Sequence, residues 1–322
     1  MPLFDMPLEM LQKYKPAAAE PENFDHFWKK TLKDAAGFSL EATFNRLDDP
    51  LYKLVDAYDV TFNGFGGQPV KGWFIRPAGG TACLPCVVSY VGYGGGRSFA
   101  LDHLGFAVTG IAEFIMDTRG QGSGWAHGDT PDDAPSGPQY PGFMTKGIES
   151  PDRYYYRRVF VDAARAIEAA AEAPGVDAAR IGLSGGSQGG GIAIAAAGLA
   201  RDKVKLCMPD VPFLCHYRRA CELIDTIPYV EISNFLKTHR GKTDEVFHTL
   251  SYFDGVNFAK RITARCLFSV ALMDTTCPPS TVYAAYNTVK APKAIRIYDF
   301  NNHEGGSQFQ FIEKLRFAIK HL

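Results

Sequence analysis

Alternation of strand-like and helix-like segments is the feature that most limits what this chain can fold into. From residue 85 onward, apolar strand-like runs alternate with helical patterns as far as the C-terminus. Such alternation is typical of a parallel sheet with helices on both of its faces. We therefore predict an α/β fold with a mostly parallel central sheet flanked by helices.

The individual segments define the predicted elements. Strands are predicted at 55–62, 69–77, 85–92, 111–117, 179–185, 203–210, 265–272 and 293–300, and helices at 154–173, 188–200, 279–289 and 308–321. The first two strands alternate apolar and polar residues, as half-exposed antiparallel strands do. The third is continuously apolar, which indicates a strand that is covered on both faces.

Two regions depart from this alternation. Residues 1–50 are polar and helical in pattern, and Asn23 is a candidate cap for one of their helices. Residues 211–262 predict a mostly helical insertion before the strand at 265–272. Because no internal repeat or low-complexity linker divides the chain, we interpret residues 1–322 as one domain with an N-terminal helical extension and this insertion.

Composition argues against several classes of partner. The chain has 34 Lys and Arg residues against 35 Asp and Glu residues, a net charge of −1. It therefore lacks the basic excess that binding to a nucleic acid or an anionic membrane surface requires. No run of about 18 apolar residues predicts a membrane-spanning helix. Since the N-terminus also lacks the pattern of a secretory signal, we expect a cytoplasmic protein.

The seven cysteines are an odd number and are dispersed along the chain, which does not resemble a disulfide framework. The spacing Cys83-x-x-Cys86 is compatible with a redox pair or half of a zinc site. However, Cys86 opens an apolar run that predicts a buried strand, and no second such pair is present. We interpret both residues as ordinary thiols, buried or half-buried in the fold.

The most informative motif is a G-x-S-x-G sequence formed by Gly185, Ser187 and Gly189. Glycines are needed on both sides because the strand must turn sharply into a helix, which strains the serine backbone. The turn places the hydroxyl at a helix N-terminus, where developing negative charge is stabilised. We predict Ser187 as a nucleophile, and a structural or phosphate-binding turn is the alternative.

A serine nucleophile needs a histidine base and a carboxylate that orients the base. In folds with this motif both follow the serine along the chain, the acid first. Of the five histidines that follow Ser187, only His303 lies in a turn between the last strand and the last helix. Asp274, directly after the strand at 265–272, is the predicted acid. Asp210 also follows a strand and is the rival, which we interpret as a structural carboxylate.

The oxyanion that forms during acyl transfer needs two backbone N–H donors. One is expected from Gln188, the residue after the nucleophile. The other is expected from the loop after the third predicted strand, residues 91–97, where Tyr93 is the candidate. The alternative interpretation of this loop is a flexible glycine-rich turn.

Three motifs together resemble carbohydrate esterase family 7, the acetyl xylan esterases and cephalosporin C deacetylases. They are Arg119-Gly120-Gln121, Gly185-Gly186-Ser187-Gln188-Gly189 and His303-Glu304, and the similarity extends over essentially the whole chain. The resemblance implies an α/β-hydrolase fold, a Ser187–Asp274–His303 triad, an oxyanion hole from Tyr93 and Gln188, and no metal or cofactor. It also implies deacetylation of small acetylated sugars, especially xylo-oligosaccharides, and of cephalosporin C. Members form homo-hexamers, built as trimers of dimers, whose interface region is similar to the insertion.

The other motif residues have less specific roles. Arg119 is expected to hold loops near the triad through a bidentate contact with a carboxylate, a structural role rather than a catalytic one. Glu304 is either a charged surface neighbour or the residue that fixes the histidine turn. Thr275 and Thr276, directly after the acid, depart from the resemblance, because at least one bulkier apolar residue is expected there. We expect Thr276 and Pro228 to border the acyl pocket.

Two other functional classes stay open at this point. One is a different hydrolase on the same fold, such as a peptidase or a dienelactone hydrolase. The other is a non-catalytic, oligomeric binding protein, which would not require the intact triad. If the triad acts, its base must be unprotonated, so we expect activity to fall below about pH 6–7, where histidine side chains ordinarily take up a proton.

Overall fold

The computed structural model describes residues 3–17, 19–80, 83–134, 139 and 141–322. Part of the loop predicted between residues 119 and 143 therefore lies outside the described residues. The strands are β1 (Thr43–Arg46), β2 (Val55–Asn63), β3 (Pro69–Pro77), β4 (Leu84–Tyr90), β5 (Ala112–Met116), β6 (Val176–Gly186), β7 (Leu206–Asp210), β8 (Arg265–Ala271) and β9 (Lys293–Tyr298). The helices are α1 (Leu8–Leu11), α2 (Phe24–Ala35), α3 (Tyr155–Glu172), α4 (Gln188–Ala200), α5 (Tyr217–Leu223), α6 (Tyr229–Thr238), α7 (Thr243–Ser251), α8 (Gly255–Ala259), α9 (Pro279–Thr288) and α10 (Ser307–His321).

All of these strands join one sheet in the order β1-β2-β3-β5-β4-β6-β7-β8-β9. The pairings from β5 through β4 to β9 are parallel, whereas β1, β2 and β3 form an antiparallel end that joins at β5. The predicted mostly parallel sheet and its two half-exposed antiparallel strands are confirmed. The carboxyl ends of β4, β6, β7, β8 and β9 meet along one edge, where loops can converge on a common site.

The two faces of the sheet are covered differently. Helices α3 and α4 cover one face with a continuous apolar cluster that includes Val88, Phe114 and Leu183. Gly and Ala residues let α4 be buried from its start as far as Gly198. On the other face, where α10 packs, the buried apolar residues form two separate clusters. One contains Ile115 and the other contains residues of both β7 and α10.

The N-terminal extension corrects two predictions. Residues 43–46, predicted as part of a helical extension, form the edge strand β1. The pattern of this short, largely exposed segment carries no strand signal, because its pairing with β2 determines its structure. Asn23 does stand before α2, but its side chain makes no capping bond and instead accepts a 2.6 Å hydrogen bond from the Tyr252 hydroxyl.

The predicted insertion at 211–262 contains α5 to α8, between β7 and β8. The N-terminal extension packs on it, and the Trp28 indole donates to the carbonyl of Tyr252 at 2.9 Å. The interpretation of the chain as one domain stays a prediction. None of the described helices is both long and apolar enough to cross a membrane. All seven cysteines are free thiols. Cys86 is buried in β4 as expected, whereas Cys83, just before the strand, is exposed and corrects the prediction for that residue.

Candidate active site

Ser187 occupies the turn between β6 and α4 in a strained backbone conformation, with φ 55° and ψ −120°. A non-glycine residue in such a sparsely populated region costs about 1–3 kcal/mol. Hydrogen bonds of its peptide groups maintain this conformation. The N–H donates to the carbonyl of Asp210 at 2.9 Å, and the carbonyl accepts from the N–H of Phe213 at 2.9 Å. The end of β7 and the start of the insertion thus hold the serine in place.

The two glycines of the motif are required by close packing around this turn. A Cβ atom on Gly185 would lie 2.3 Å from the carbonyl carbon of Gly189. A Cβ atom on Gly189 would lie 2.1 Å from the carbonyl oxygen of Tyr90, at the end of β4. Neither backbone group can move aside, so both positions exclude larger residues. The predicted reason for the motif is confirmed.

The structure brings Ser187, His303 and Asp274 together. Nε2 of His303 lies 2.9 Å from Oγ of Ser187, and Nδ1 lies 2.9 Å from Oδ2 of Asp274. Asp274 follows β8 and His303 follows β9, so both loops open at the same edge of the sheet as the serine. This is the arrangement in which an imidazole can remove the hydroxyl proton while a carboxylate orients it.

Backbone and side-chain hydrogen bonds orient the acid and the base. The second oxygen of Asp274, which is fully buried, accepts from the N–H groups of Thr276 and Cys277 at 2.8 and 2.9 Å. The side-chain oxygen of Asn302 accepts from the N–H groups of His303 and Thr275 at 2.9 and 3.0 Å. Asn302 therefore joins the two loops, a role that the sequence analysis missed. An Asn in a turn is the only signal for it.

Asp210, the rival acid, belongs to a different group of side chains. Its carboxylate contacts the ammonium of Lys314 and accepts a 2.8 Å hydrogen bond from the Gln310 amide, both on α10. Within the described residues it has no contact with His303. The geometry thus favours Asp274 as the partner of His303, as predicted, and gives the Asp210 side chain a structural environment.

The two predicted oxyanion-hole donors are the N–H of Gln188, which directly follows Ser187, and the N–H of Tyr93, which lines the same cavity as Ser187. Gln188 is the first residue of α4, and Tyr93 lies in the loop after β4. Within the described part of the chain, neither N–H donates to an acceptor. The carbonyl of Gly92, in the same peptide group as the Tyr93 N–H, accepts from the N–H of Gly95 at 3.1 Å, which fixes the direction of that peptide. Both predicted donors are free to bind a negatively charged oxygen.

A buried pair of amides links these two donors. Gln121 donates to the side-chain oxygen of Gln188 at 2.8 Å, and its own oxygen accepts from the N–H of Gly94 at 2.7 Å. The side-chain nitrogen of Gln188 also donates to the carbonyl of Val91, and the side-chain oxygen of Gln188 accepts from the Tyr156 hydroxyl. Gln121 therefore connects the loop that carries Tyr93 to the helix that carries Gln188.

Two buried carboxylates that the sequence analysis missed brace the same loop. Asp117, directly after β5, accepts from the N–H groups of Arg97 and Thr130 at 2.9 and 2.8 Å. Glu231, on α6, accepts from the Tyr93 hydroxyl at 2.7 Å and from the N–H of Met144 at 3.0 Å. Burial raises the pKa of both carboxyl groups. The insertion thus contacts the oxyanion loop directly through Glu231.

The remaining motif residues support the loops. Arg119 is buried and makes two parallel hydrogen bonds to Asp162, at 2.5 and 2.8 Å, so the expected bidentate contact is present. Gly120 adopts φ 71° between Arg119 and Gln121. Glu304 is exposed, and its carboxylate accepts from the side chain of Asn301 at 2.9 Å. It therefore braces the histidine turn from the surface.

A cavity of about 740 Å³ contains the site. Its walls near Ser187 include Trp125, Pro228 and Thr276, so both residues expected at the acyl pocket line the cavity. Their role in selecting the acyl group stays a prediction. Beyond these walls the cavity continues beneath the turn to Lys314 on α10.

One described group of side chains could hold a metal ion by distance alone. Candidate ligand atoms of Asp274, Cys277 and His303 lie within 4.8 Å of one another. Asp274 and His303 are already hydrogen-bonded to each other, so a metal would have to separate them. The donor set fits an acid–base pair better than a metal site.

Comparisons with known proteins relate the whole chain to acetyl xylan esterases. A family model described as acetyl xylan esterase (AXE1) matches residues 1–321. The solved acetyl xylan esterase from Paenibacillus sp. R4 is 42% identical with a TM-score of 0.93, over 98% of this chain and 100% of that one. Acetyl xylan esterase 1 from Thermoanaerobacterium sp. JW/SL YS485 is 31% identical with a TM-score of 0.90, over 98% and 99% of the two chains. A curated relative, the acetyl esterase Axe7A of Xylanibacter ruminicola, is 26% identical over 311 residues, which are 94% of this chain and 67% of that protein.

Proposed function

Because the chain belongs to the acetyl xylan esterase family and is a carboxylic ester hydrolase, we propose that it removes acetyl groups from small acetylated carbohydrates by a Ser187–His303–Asp274 mechanism. The single observation that carries the mechanism is the pair of 2.9 Å contacts that join Ser187 to His303 and His303 to Asp274. The free N–H groups of Tyr93 and Gln188 beside the serine add to its support.

The reaction has two steps. His303 takes the proton of Ser187 as Oγ attacks the acetyl carbonyl, and the N–H groups of Tyr93 and Gln188 stabilise the oxyanion. The bond to the sugar oxygen then breaks, and the sugar leaves with the proton from His303. In the second step His303 takes a proton from water, which attacks the acetyl-serine. Acetate leaves, and Ser187 regains its proton from His303. Asp274 stays ionised and orients the imidazole throughout.

The proposed substrates are acetylated xylo-oligosaccharides, and we extend the proposal to the acetyl group of cephalosporin C. The names of the relatives support an acetyl ester as the bond that is cut. Pro228 and Thr276 line the cavity that contains Ser187, in the place where the acyl pocket is expected.

A release assay tests this proposal. Acetate release is measured from acetylated xylo-oligosaccharides, from cephalosporin C, and from p-nitrophenyl esters of two, four and eight carbons. We expect acetate release from acetylated xylo-oligosaccharides and from cephalosporin C. For the p-nitrophenyl esters, kcat/KM should fall steeply as the acyl chain lengthens. Preference for the eight-carbon ester, or no release from any acetylated sugar, would refute the assignment. Turnover of acetylated sugars without cephalosporin C would restrict it to carbohydrates.

We also propose that the protein is cytoplasmic and assembles as a homo-hexamer, a trimer of dimers. Exposed apolar side chains near the histidine turn, Phe300 and Phe309, support a protein contact on that surface. Light scattering on the purified full chain tests the assembly. A mass about six times 35.3 kDa is expected, and a monomeric mass would contradict it.

A further inference from the structure

A row of polar side chains crosses the sheet face that α10 covers, where a core would ordinarily be apolar. We call it the polar belt: Ser89, Glu113, Ser184, Asp210 and Ser269 on the sheet, with Gln310 and Lys314 on α10. All of these residues line the same cavity as Ser187. The belt separates the two apolar clusters on this face.

The belt follows from the two-residue period of the strands. Ser89 lies between Val87 of one apolar cluster and Val91 of the other, and Glu113 lies between Ile111 and Ile115 in the same way. On α10 the buried residues are Gln310, Lys314 and Ala318, spaced four apart on one helix face. Polar residues of the sheet therefore lie opposite polar residues of α10 across the cavity, and apolar residues lie opposite apolar ones.

The belt does not satisfy its own hydrogen-bonding capacity. Lys314, only 8% exposed, contacts Asp210 and donates to the Ser184 hydroxyl at 3.2 Å. Glu113, only 5% exposed, has a single hydrogen bond within the described residues, a 2.6 Å contact from the Ser89 hydroxyl. Because no belt atom is among the buried polar atoms that lack a partner in the described residues, the remaining polar atoms of the belt face the cavity, where a ligand can bind them.

The chemistry of the belt selects a neutral ligand rich in hydroxyl groups. Asp210 and Lys314 offset each other in charge and leave only the carboxyl group of Glu113, so an anion finds no excess of positive charge. Burial raises the pKa of Glu113 to about 7, which lets this group donate as well as accept near neutral pH. The side chains of Phe106 and Phe311 line the same cavity and add apolar surface to it. Acceptors, donors and apolar surface together suit a sugar.

Space and access agree with this ligand. The cavity of about 740 Å³ is in the range of about 300–1,000 Å³ that whole small-molecule ligands occupy, and an acetyl group needs far less. Gly186 lines the cavity between Ser187 and the belt, and a Cβ atom there would meet nothing within 4 Å. The route from the serine to the belt is open at this point.

We propose that the polar belt is a sugar subsite that binds a non-acetylated pentose unit of the substrate beneath the Ser187 turn. This inference rests on the proposed function, and it makes the sugar beside the acetylated one a determinant of specificity. Ordered water in the belt, with no sugar bound, is the competing outcome.

Binding and kinetics test the subsite separately. In the Ser187→Ala background, binding of unacetylated xylobiose is measured by calorimetry with and without Glu113→Gln or Lys314→Met. Glu313→Gln is the matched control, because Glu313 is the neighbour of Lys314 on α10 but pairs with Arg296 at the surface. We expect the belt variants to weaken xylobiose binding at least about tenfold, as loss of a hydrogen bond to a charged group does, and the control to leave it unchanged.

The kinetic readout uses two substrates of the Ser187 enzyme. The belt variants should raise KM for acetylated xylobiose at least about tenfold and leave p-nitrophenyl acetate kinetics within about twofold. Equal losses on both substrates would overturn the subsite in favour of a structural or water-holding belt, and so would absence of xylobiose binding to Ser187→Ala. If Lys314→Met does not fold, Glu113→Gln and Ser89→Ala carry the same test. Failure of the proposed function is distinguishable, because the wild type would then release no acetate from acetylated xylobiose, whereas the binding experiment would still report on the belt.

Discussion

The two sides of Ser187 are built in different ways. On the base side, His303 and Asp274 contact each other directly, on loops at the ends of two successive strands of the chain, β8 and β9. On the oxyanion side, the predicted donors are backbone N–H groups, and buried side chains from distant segments hold the loop that carries one of them. Glu231, for example, is 138 residues from Tyr93.

The difference shows that substitutions on the two sides of the site should impair catalysis in different ways. A base-side residue takes part in proton transfer itself, so its loss removes a step of the reaction. An oxyanion-side residue such as Gln121 acts through the loop it holds, so its loss misplaces a donor that is still present. The predictions that follow use this contrast, from the largest effect to the smallest.

Replacement of the nucleophile is expected to have the largest effect. Ser187→Ala should lower kcat about 10⁶-fold, because residues of a catalytic triad act as a unit. Ser184→Ala, three residues earlier in β6, is the matched control and should retain catalysis of p-nitrophenyl acetate hydrolysis. Steady-state kinetics with this ester measure both. Comparable losses in the two variants would show that the turn, and not the Ser187 hydroxyl, is essential.

The two candidate acids provide the next contrast. Asp274→Asn should lower kcat about 10⁴-fold, since the amide favours the wrong tautomer of His303. Asp210→Asn should leave most of kcat but lower the melting temperature, because it weakens the buried contact with Lys314. A larger kcat loss for Asp210→Asn than for Asp274→Asn would reverse the assignment of the acid.

Gln121 tests the oxyanion side. Gln121→Ala removes the hydrogen bond to the N–H of Gly94 and the bond to the Gln188 amide. We expect kcat to fall about 10–100-fold with little change in KM, less than the 10²–10³-fold that loss of a donor itself costs. An unchanged kcat would mean that the loop carrying Tyr93 holds its shape without this link.

Glu231 should give the smallest effect, on stability and its dependence on pH. Glu231→Gln leaves a buried N–H without its charged acceptor and should cost about 1–3 kcal/mol of unfolding free energy. Because burial raises the pKa of Glu231, the folded protein keeps a proton that the unfolded chain releases above about pH 4.3. The stabilisation that this proton gives to the folded wild type decreases as the pH rises. The loss of unfolding free energy caused by Glu231→Gln should therefore be smaller at pH 8 than at pH 4.5. Melting curves at both pH values check this, and a deficit that is constant or growing would contradict it.

The same contrast explains what the sequence could predict. Ser187, Asp274 and His303 were accessible because each follows a strand in a fixed order and sits in a recognisable turn. The family, the fold and the placement of the long helices and strands are confirmed for the same reason: they depend on local patterns and short motifs.

What could not be predicted depends on partners that are distant in sequence. Asp117 and Glu231 are ordinary acidic residues until folding brings loop N–H groups to them. Lys314 lies in a helix whose pattern was predicted correctly, yet a lone lysine gives no sign that it will be buried against Asp210. The strand β1 is formed by its pairing with β2 rather than by its own residues. In each case tertiary contacts outweigh the local pattern.

Covalent labelling tests the nucleophile most directly. The full-length protein is treated with a fluorophosphonate probe, digested, and the modified residue identified by mass spectrometry, with Ser187→Ala and His303→Ala treated in parallel. A single adduct on Ser187, absent from Ser187→Ala and formed far more slowly in His303→Ala, is the expected result. An adduct on another residue would contradict the assignment. So would labelling of Ser187→Ala that abolishes the esterase activity of this variant in proportion to the labelling.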